Sequence, residues 1–285
     1  MSGSLPSFKR ELDVNNKGWT KPRILILEVR HPEQPDGKPV AWLLVERLES
    51  VEHDRSDGSI RRASICLSYQ RIKPRGAQDV LSQGTFCGGY SKTPIEAVSL
   101  TSTSMGRGGV FLEPQALRGH RIGTYLMNEI VVWAKKWPEA QLHSIELSWG
   151  QGQDNNRERR NRFYEQFGIA FEYADEERRS GLSRPMPAKS LVPTDSWQAN
   201  IVERPVFDYL ADILYAEQTA SFELQLRSAA IRDLVNERNA AYNHPGRWFL
   251  KTLYQKHAGL LAMIIFLCVL ALIGMPQAYR WFRSF

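Results

Sequence analysis

The chain has 285 residues, room for one generous domain plus an appendage, and its 42% hydrophobic and 24% charged content is ordinary for a folded protein that buries a core. A formal charge of +6 suits an anionic partner, whether a phosphorylated cofactor, an anionic lipid or a nucleic acid. Cys66, Cys87 and Cys268 are scattered, odd in number and without a C-x-x-C pair, which suggests neither a disulfide framework nor a zinc site and fits a reducing compartment.

Residues 1–20 read as an N-terminal tail. Lys9, Arg10 and Glu11 are not followed by an apolar run, so Met1 to Gly18 does not resemble a secretory signal, and the bulk of the chain is expected in the cytosol. Residues 23–29 (RILILEV), 40–48 (VAWLLVERL) and 63–69 (ASICLSY) are short apolar or alternating runs between turn formers, and each predicts a strand. Residues 75–109 are rich in Gly, Ser and Thr; a strand is expected near Ile95 to Thr101, and Gly109 to Leu112 reads as a further one. From Thr124 onward Leu126, Ile130, Trp133 and Trp137 recur at helical spacing until Pro138 closes the segment. Leu142 to Trp149 then predicts a strand, 156–166 a helix and Ile169 to Tyr173 a last strand. This alternation argues for an α/β sheet.

Glu, Arg, Ser, Gly and Pro dominate residues 176–195, which predicts a solvated linker and a domain boundary. A helical segment is expected over 196–255. Phe207, Leu210, Leu214, Leu224, Ile231 and Leu234 fall mostly on one stripe of it, interrupted at Glu217 and Ser221. Either the preceding domain or a second copy of the chain, as a homodimer, would cover that stripe. Ala258 to Met275 contains no charged or strongly polar residue, and Lys251, Lys256, Arg280 and Arg283 flank it along with Trp248, Tyr254, Tyr279 and Trp281. The pattern predicts a transmembrane helix over 256–276 and a short tail over 277–285, with a buried core helix as the alternative. Since so few residues follow the run, the front of the chain is expected on the cytoplasmic side.

Gly109 to Met127 (GVFLEPQALRGHRIGTYLM) joins an apolar run through a glycine-containing loop to a helix. Such loops leave successive backbone N–H groups aimed at one spot, where the helix dipole favours an anion such as a pyrophosphate. Asn156 to Tyr173 (NRERRNRFYEQFGIAFEY) follows at the downstream end of the same pattern. Together the two stretches resemble the GNAT N-acetyltransferase superfamily, whose Arg/Gln-x-x-Gly-x-Gly/Ala loop holds the pyrophosphate of acetyl-CoA and whose Phe-Tyr-Glu-Lys-x-Gly-Phe-like helix end supplies a tyrosine. Arg118 and Gly123 match the ends of the first motif, and Phe163, Tyr164, Glu165 and Gly168 match the second; the likeness covers roughly 108–173. Arg121 replaces the middle glycine, Asn155 and Asn156 lie slightly early in register, and no helical pair separates the first two strands, where the family builds its acceptor lid.

The resemblance implies a GNAT-like α/β domain over 21–175, with a mixed, mostly antiparallel twisted sheet flanked by helices. It implies an N-acyltransferase using acetyl-CoA or another short acyl-CoA, without a metal, by direct attack of an amine acceptor on the thioester. Tyr164 is then the acid that protonates the departing thiolate, and Glu146 and Glu113 are the candidate bases. Backbone groups of Val110, Phe111 and Leu112 would hold the oxyanion, and Arg118, Gly119, His120, Arg121, Ile122, Gly123, Thr124 and Asn156 the cofactor. Arg157, Arg159, Arg160 and Arg162 read first as a solvated helix face, then as contacts to the cofactor's 3′-phosphate, and only third as a nucleic-acid patch. The reading from another class is a non-enzymatic, membrane-anchored adaptor or CoA-binding module.

Overall fold

The computed structural model describes residues 12–13, 18–19, 24–73, 83–106, 108–110, 112, 117–152 and 156–282. The chain divides into two compact units, 1–212 and 213–285, each considered by itself. The first opens on β1 (Leu12–Asp13) and β2 (Gly18–Trp19), a two-stranded antiparallel ladder. Next come β3 (Ile24–Val29), β4 (Ala41–His53), β5 (Ile60–Ile72), β6 (Gln83–Ser91) and β7 (Ala97–Ser99), followed by α1 (Ile122–Ala134) and β8 (Gln141–Leu142). After β9 (Glu146–Leu147) and α2 (Asn156–Glu165), β10 (Phe171–Tyr173) and β11 (Gly181–Ser183) precede β12 (Ile201–Pro205). α3 (Val206–Asn243) and α4 (Pro245–Phe282) complete the order.

The main sheet runs β12-β3-β4-β5-β6-β7-β8, with every neighbouring pair antiparallel except β7 and β8. Alternation in β3 to β5 puts Leu25, Leu27, Val29, Leu43, Val45, Ile65 and Leu67 on one face, all buried. α1 packs on that face and buries Leu126, Ile130, Val131 and Trp133. Its closest approach is at Gly88 of β6, where a Cβ would stand 2.6 Å from Ile130 Cγ2 and 3.2 Å from Ile65 Cγ2. Here the sheet gives up a side chain so that the helix can sit down on it.

Several expectations are corrected. β6 was not anticipated, because Gly84, Gly88 and Gly89 erase its alternation. Gly109, Val110 and Leu112 are not in a strand, while Phe111 and Glu113 lie outside the described residues. The single strand expected over Leu142 to Trp149 is two short ones in different sheets, with β8 beside β7 and β9 in the order β10-β11-β9. Residues 176–195 are not a solvated linker: β11 pairs with both β9 and β10, and Ser183, Ala188 and Leu191 are buried. The helical segment expected from residue 196 begins only at Val206, because Ile201–Pro205 pairs along β3. Cys66 and Cys87 are direct cross-strand partners on β5 and β6 and form a disulfide, so two of the three thiols are paired after all.

In the second unit, α3 buries none of its side chains, and Leu214, Leu224, Ile231 and Leu234 stand exposed. α4 departs from helical dihedrals at His257 (φ −126°, ψ 24°). Among the described residues no single helix is long and apolar enough to cross a membrane; Pro245–Leu260 and Ala262–Val269 together have the length and composition of a span, bent by 65°.

Candidate functional site

β7 and β8 run parallel only briefly. His143 N–H still donates to Val98 O (2.7 Å), but Ile145 N–H turns to Ser183 Oγ (2.8 Å) in the other sheet. The two ladders part there. Beyond β7 the chain returns through Val110 and Leu112 to the loop that starts α1.

That loop is built from two left-handed residues, Gly119 (φ +86°) and Arg121 (φ 62°), which reverse the chain into the helix. Buried Leu117 anchors its start, and Arg118 Nε donates to Leu112 O at 3.3 Å. α1 carries neither a side-chain cap nor an acid in its first turn. The N–H groups of its first residues therefore have no intrahelical acceptor and carry the positive end of the helix dipole. α2 lies across from this end, joined to it by Gln166 Nε2, which donates to Thr124 Oγ1 (3.3 Å) and to Phe163 O (3.0 Å).

Between the two helices lies a cavity of about 580 Å³. Of the residues singled out in the sequence, its wall brings together Val110, Leu112, Arg118, Gly119, Arg121, Ile122, Gly123, Thr124, Asn156 and Tyr164. His120 is not among them: its ring stands edge-on to His31, with centroids 5.7 Å apart, and its Nδ1 is buried without a hydrogen-bond partner among the described residues. Glu146 sits exposed on β9, outside the cavity wall. Among the described residues charge in the wall is unbalanced, with Arg118, Arg121, Arg159, Arg160 and Arg162 against one carboxylate, that of Glu158. No protein-family model, curated protein or solved structure matches this chain.

Tyr164 is the buried phenol of this cavity, 7% exposed and set edge-on against Phe163 and Phe171. Burial pushes its pKa up to about 12, and the cation of Arg160, one turn earlier on α2, opposes that rise. The phenol thus keeps its proton throughout the neutral range and can donate it. Arg160 departs from the solvated face expected of it. It is 8% exposed, and its guanidinium donates to Ser148 O (2.9 Å), Arg179 O (2.8 Å) and Asn161 Oδ1 (3.0 Å), closing the end of β9 onto α2. Desolvation lowers its pKa. The neighbouring Arg159 and Arg162 are exposed, and Arg159 donates to Asn156 Oδ1 at 2.6 Å.

Phe86, Phe163 and Gln166 also line the cavity and were not foreseen as site residues. The last two had a usable signal, since Arg159, Phe163 and Gln166 recur at helical spacing and so share one face running off the end of α2. Phe86 had none, belonging to the strand that its glycines hid. Among the described residues no group of three or more His, Cys, Asp or Glu side chains is arranged to hold a metal ion.

Proposed function

We propose that this chain is an acyl-CoA-dependent N-acyltransferase with a GNAT-like catalytic domain, moving an acetyl or other short acyl group to an amine. The observation that carries this reading is the pairing, across one cavity, of an uncapped helix N-terminus with a buried, protonated tyrosine. The first suits a diphosphate and the second a leaving thiolate. A volume of about 580 Å³ is in the range of cofactor sites, and the surplus of arginines in the wall suits a ligand with several phosphate charges.

In the proposed reaction the neutral amine nitrogen attacks the thioester carbonyl carbon. Backbone N–H groups near Val110 and Leu112 steady the oxyanion. When the tetrahedral intermediate collapses the C–S bond breaks, Tyr164 gives its proton to the sulfur, and the amine's surplus proton leaves through solvent. Since Glu146 is outside the cavity wall, it would act as the base only through intervening water.

The apolar run Ala258 to Met275 supports a second element of the proposal, a membrane tether for this domain. The test of the enzymatic element is purified full-length protein in detergent, incubated with acetyl-CoA and a panel of amines that includes lysate proteins. Acylated product with matching release of free CoA, read by mass spectrometry, is expected. Absence of both product and acetyl-CoA binding refutes the assignment.

A further inference from the structure

Arg121 occupies a backbone conformation that side chains resist. An L-residue in the left-handed region carries a penalty that glycine avoids, and nothing in α1's own cap offsets it. The compensation comes from 75 and 79 residues downstream. Arg121 Nη1 donates to Ser196 O at 2.9 Å and reaches Asn200 Oδ1 at 3.5 Å. Asn200 is 2% exposed, and its Nδ2 donates to His120 O (3.0 Å) and to Arg30 O (2.9 Å), while Arg30 N–H donates back to Asn200 O (2.8 Å).

The contact to His120 O has a geometric consequence. A trans peptide is planar, with its C=O and N–H on opposite sides. Holding the His120 carbonyl at Asn200 therefore turns the N–H of Arg121 the other way.

We propose that Asn200 is a positioning residue for the anion-binding loop: with Arg121 it latches the His120–Arg121 peptide so that the Arg121 N–H is presented to the diphosphate of the acyl donor. The inference rests on the acyltransferase reading and deepens it, naming what replaces the conformational freedom of a glycine at position 121. Asn200 touches no substrate; it acts through the loop.

The test is calorimetry of the full-length protein with acetyl-CoA and, separately, with S-acetylpantetheine, which lacks the diphosphate. Asn200→Ala should weaken acetyl-CoA binding about tenfold, the scale of one lost hydrogen bond, and leave S-acetylpantetheine binding as in the parent. Turnover at saturating acetyl-CoA should hold, so that KM rises and kcat does not. Arg121→Gly placed on Asn200→Ala should recover most of the affinity, because glycine adopts the turn without a latch. Should Asn200→Ala fail to fold, the half-exposed Arg121→Ala serves instead: it removes the anchor, keeps the strain, and should bind acetyl-CoA about tenfold more weakly than the parent. A parent that binds acetyl-CoA while either alanine variant binds it equally well overturns the latch alone. A parent that gives no binding heat overturns the latch and the acyltransferase reading together.

Discussion

Tyr164→Phe separates chemistry from stability better than any other change in this molecule. The phenol is 7% exposed, yet among the described residues its hydroxyl makes no hydrogen bond within the protein, while its ring packs edge-on against Phe163 and Phe171 at 5.1 and 5.6 Å. Phenylalanine keeps those ring contacts and strands no buried partner, so stability should change by less than about 0.5 kcal/mol. A general acid contributes ~10²–10⁴ in rate, and an open cavity lets water substitute in part, which points to the lower end: about a hundredfold, or ~2.7 kcal/mol of transition-state free energy. Thiol release from acetyl-CoA in the presence of an accepted amine reads turnover, calorimetry reads donor affinity, and a thermal melt reads the fold. Turnover should fall about a hundredfold with affinity and melting temperature held. The pH profile adds an independent check. Because burial raises the phenol's pKa to about 12, its contribution to stability is complete below the ordinary tyrosine value near 10 and is lost as pH rises from there through 12. In the parent protein, therefore, no falling limb assignable to Tyr164 should appear below about pH 10. Equal turnover in parent and variant, or a falling limb near neutrality that vanishes in the variant, refutes the role given to this residue.

Gly123→Trp should abolish acetyl-CoA binding while the domain stays folded. A Cβ there would meet Phe163 at 3.5 Å and Phe86 at 3.9 Å, ordinary contacts, so the indole has only the cavity to enter; unchanged affinity would falsify the loop assignment. Arg160→Met removes the donor to the Ser148 and Arg179 carbonyls and should cost about 2–4 kcal/mol, lowering the melting temperature by roughly 5–15 °C, with an unshifted melt as the contrary result. Deleting residues 256–285 should move the protein from the membrane fraction to the soluble one. Full-length protein that is already soluble without detergent rules out the tether.

What could be seen in advance follows from where side chains report their surroundings. β3, β4 and β5 alternate because one face is buried, and α1 shows its apolar spacing because its helix lies along a core; both were legible. β6 was not, since its contribution at Gly88 is absence of a side chain, which composition records as loop. Residues 176–195 look solvated because most of them are, yet Ala188 and Leu191 point inward and β11 joins two other strands through its backbone. At the site, the glycine loop and Tyr164 could be read from motifs confined to one stretch each. Asn200 and the buried state of Arg160 could not, because both depend on carbonyl groups from distant segments converging on one side chain. The Cys66–Cys87 pairing likewise became visible only with the register of β5 on β6.

The place of β12 bears on how this protein is made. Ile201 pairs with Val29 and Pro205 with Leu25, so the strand that seals one border of the main sheet is among the last parts of the first unit to be synthesised. Until it emerges from the ribosome, the outer rim of β3 offers unpaired peptide groups and a ready template for aggregation. A fragment stopped at Asp175, where the sequence suggests a boundary, would keep that rim bare permanently and would also lose Asn200. Recombinant versions of the first unit should end no earlier than Asp212, and nascent chains from which β12 has not yet emerged are the ones for which a holding chaperone matters most.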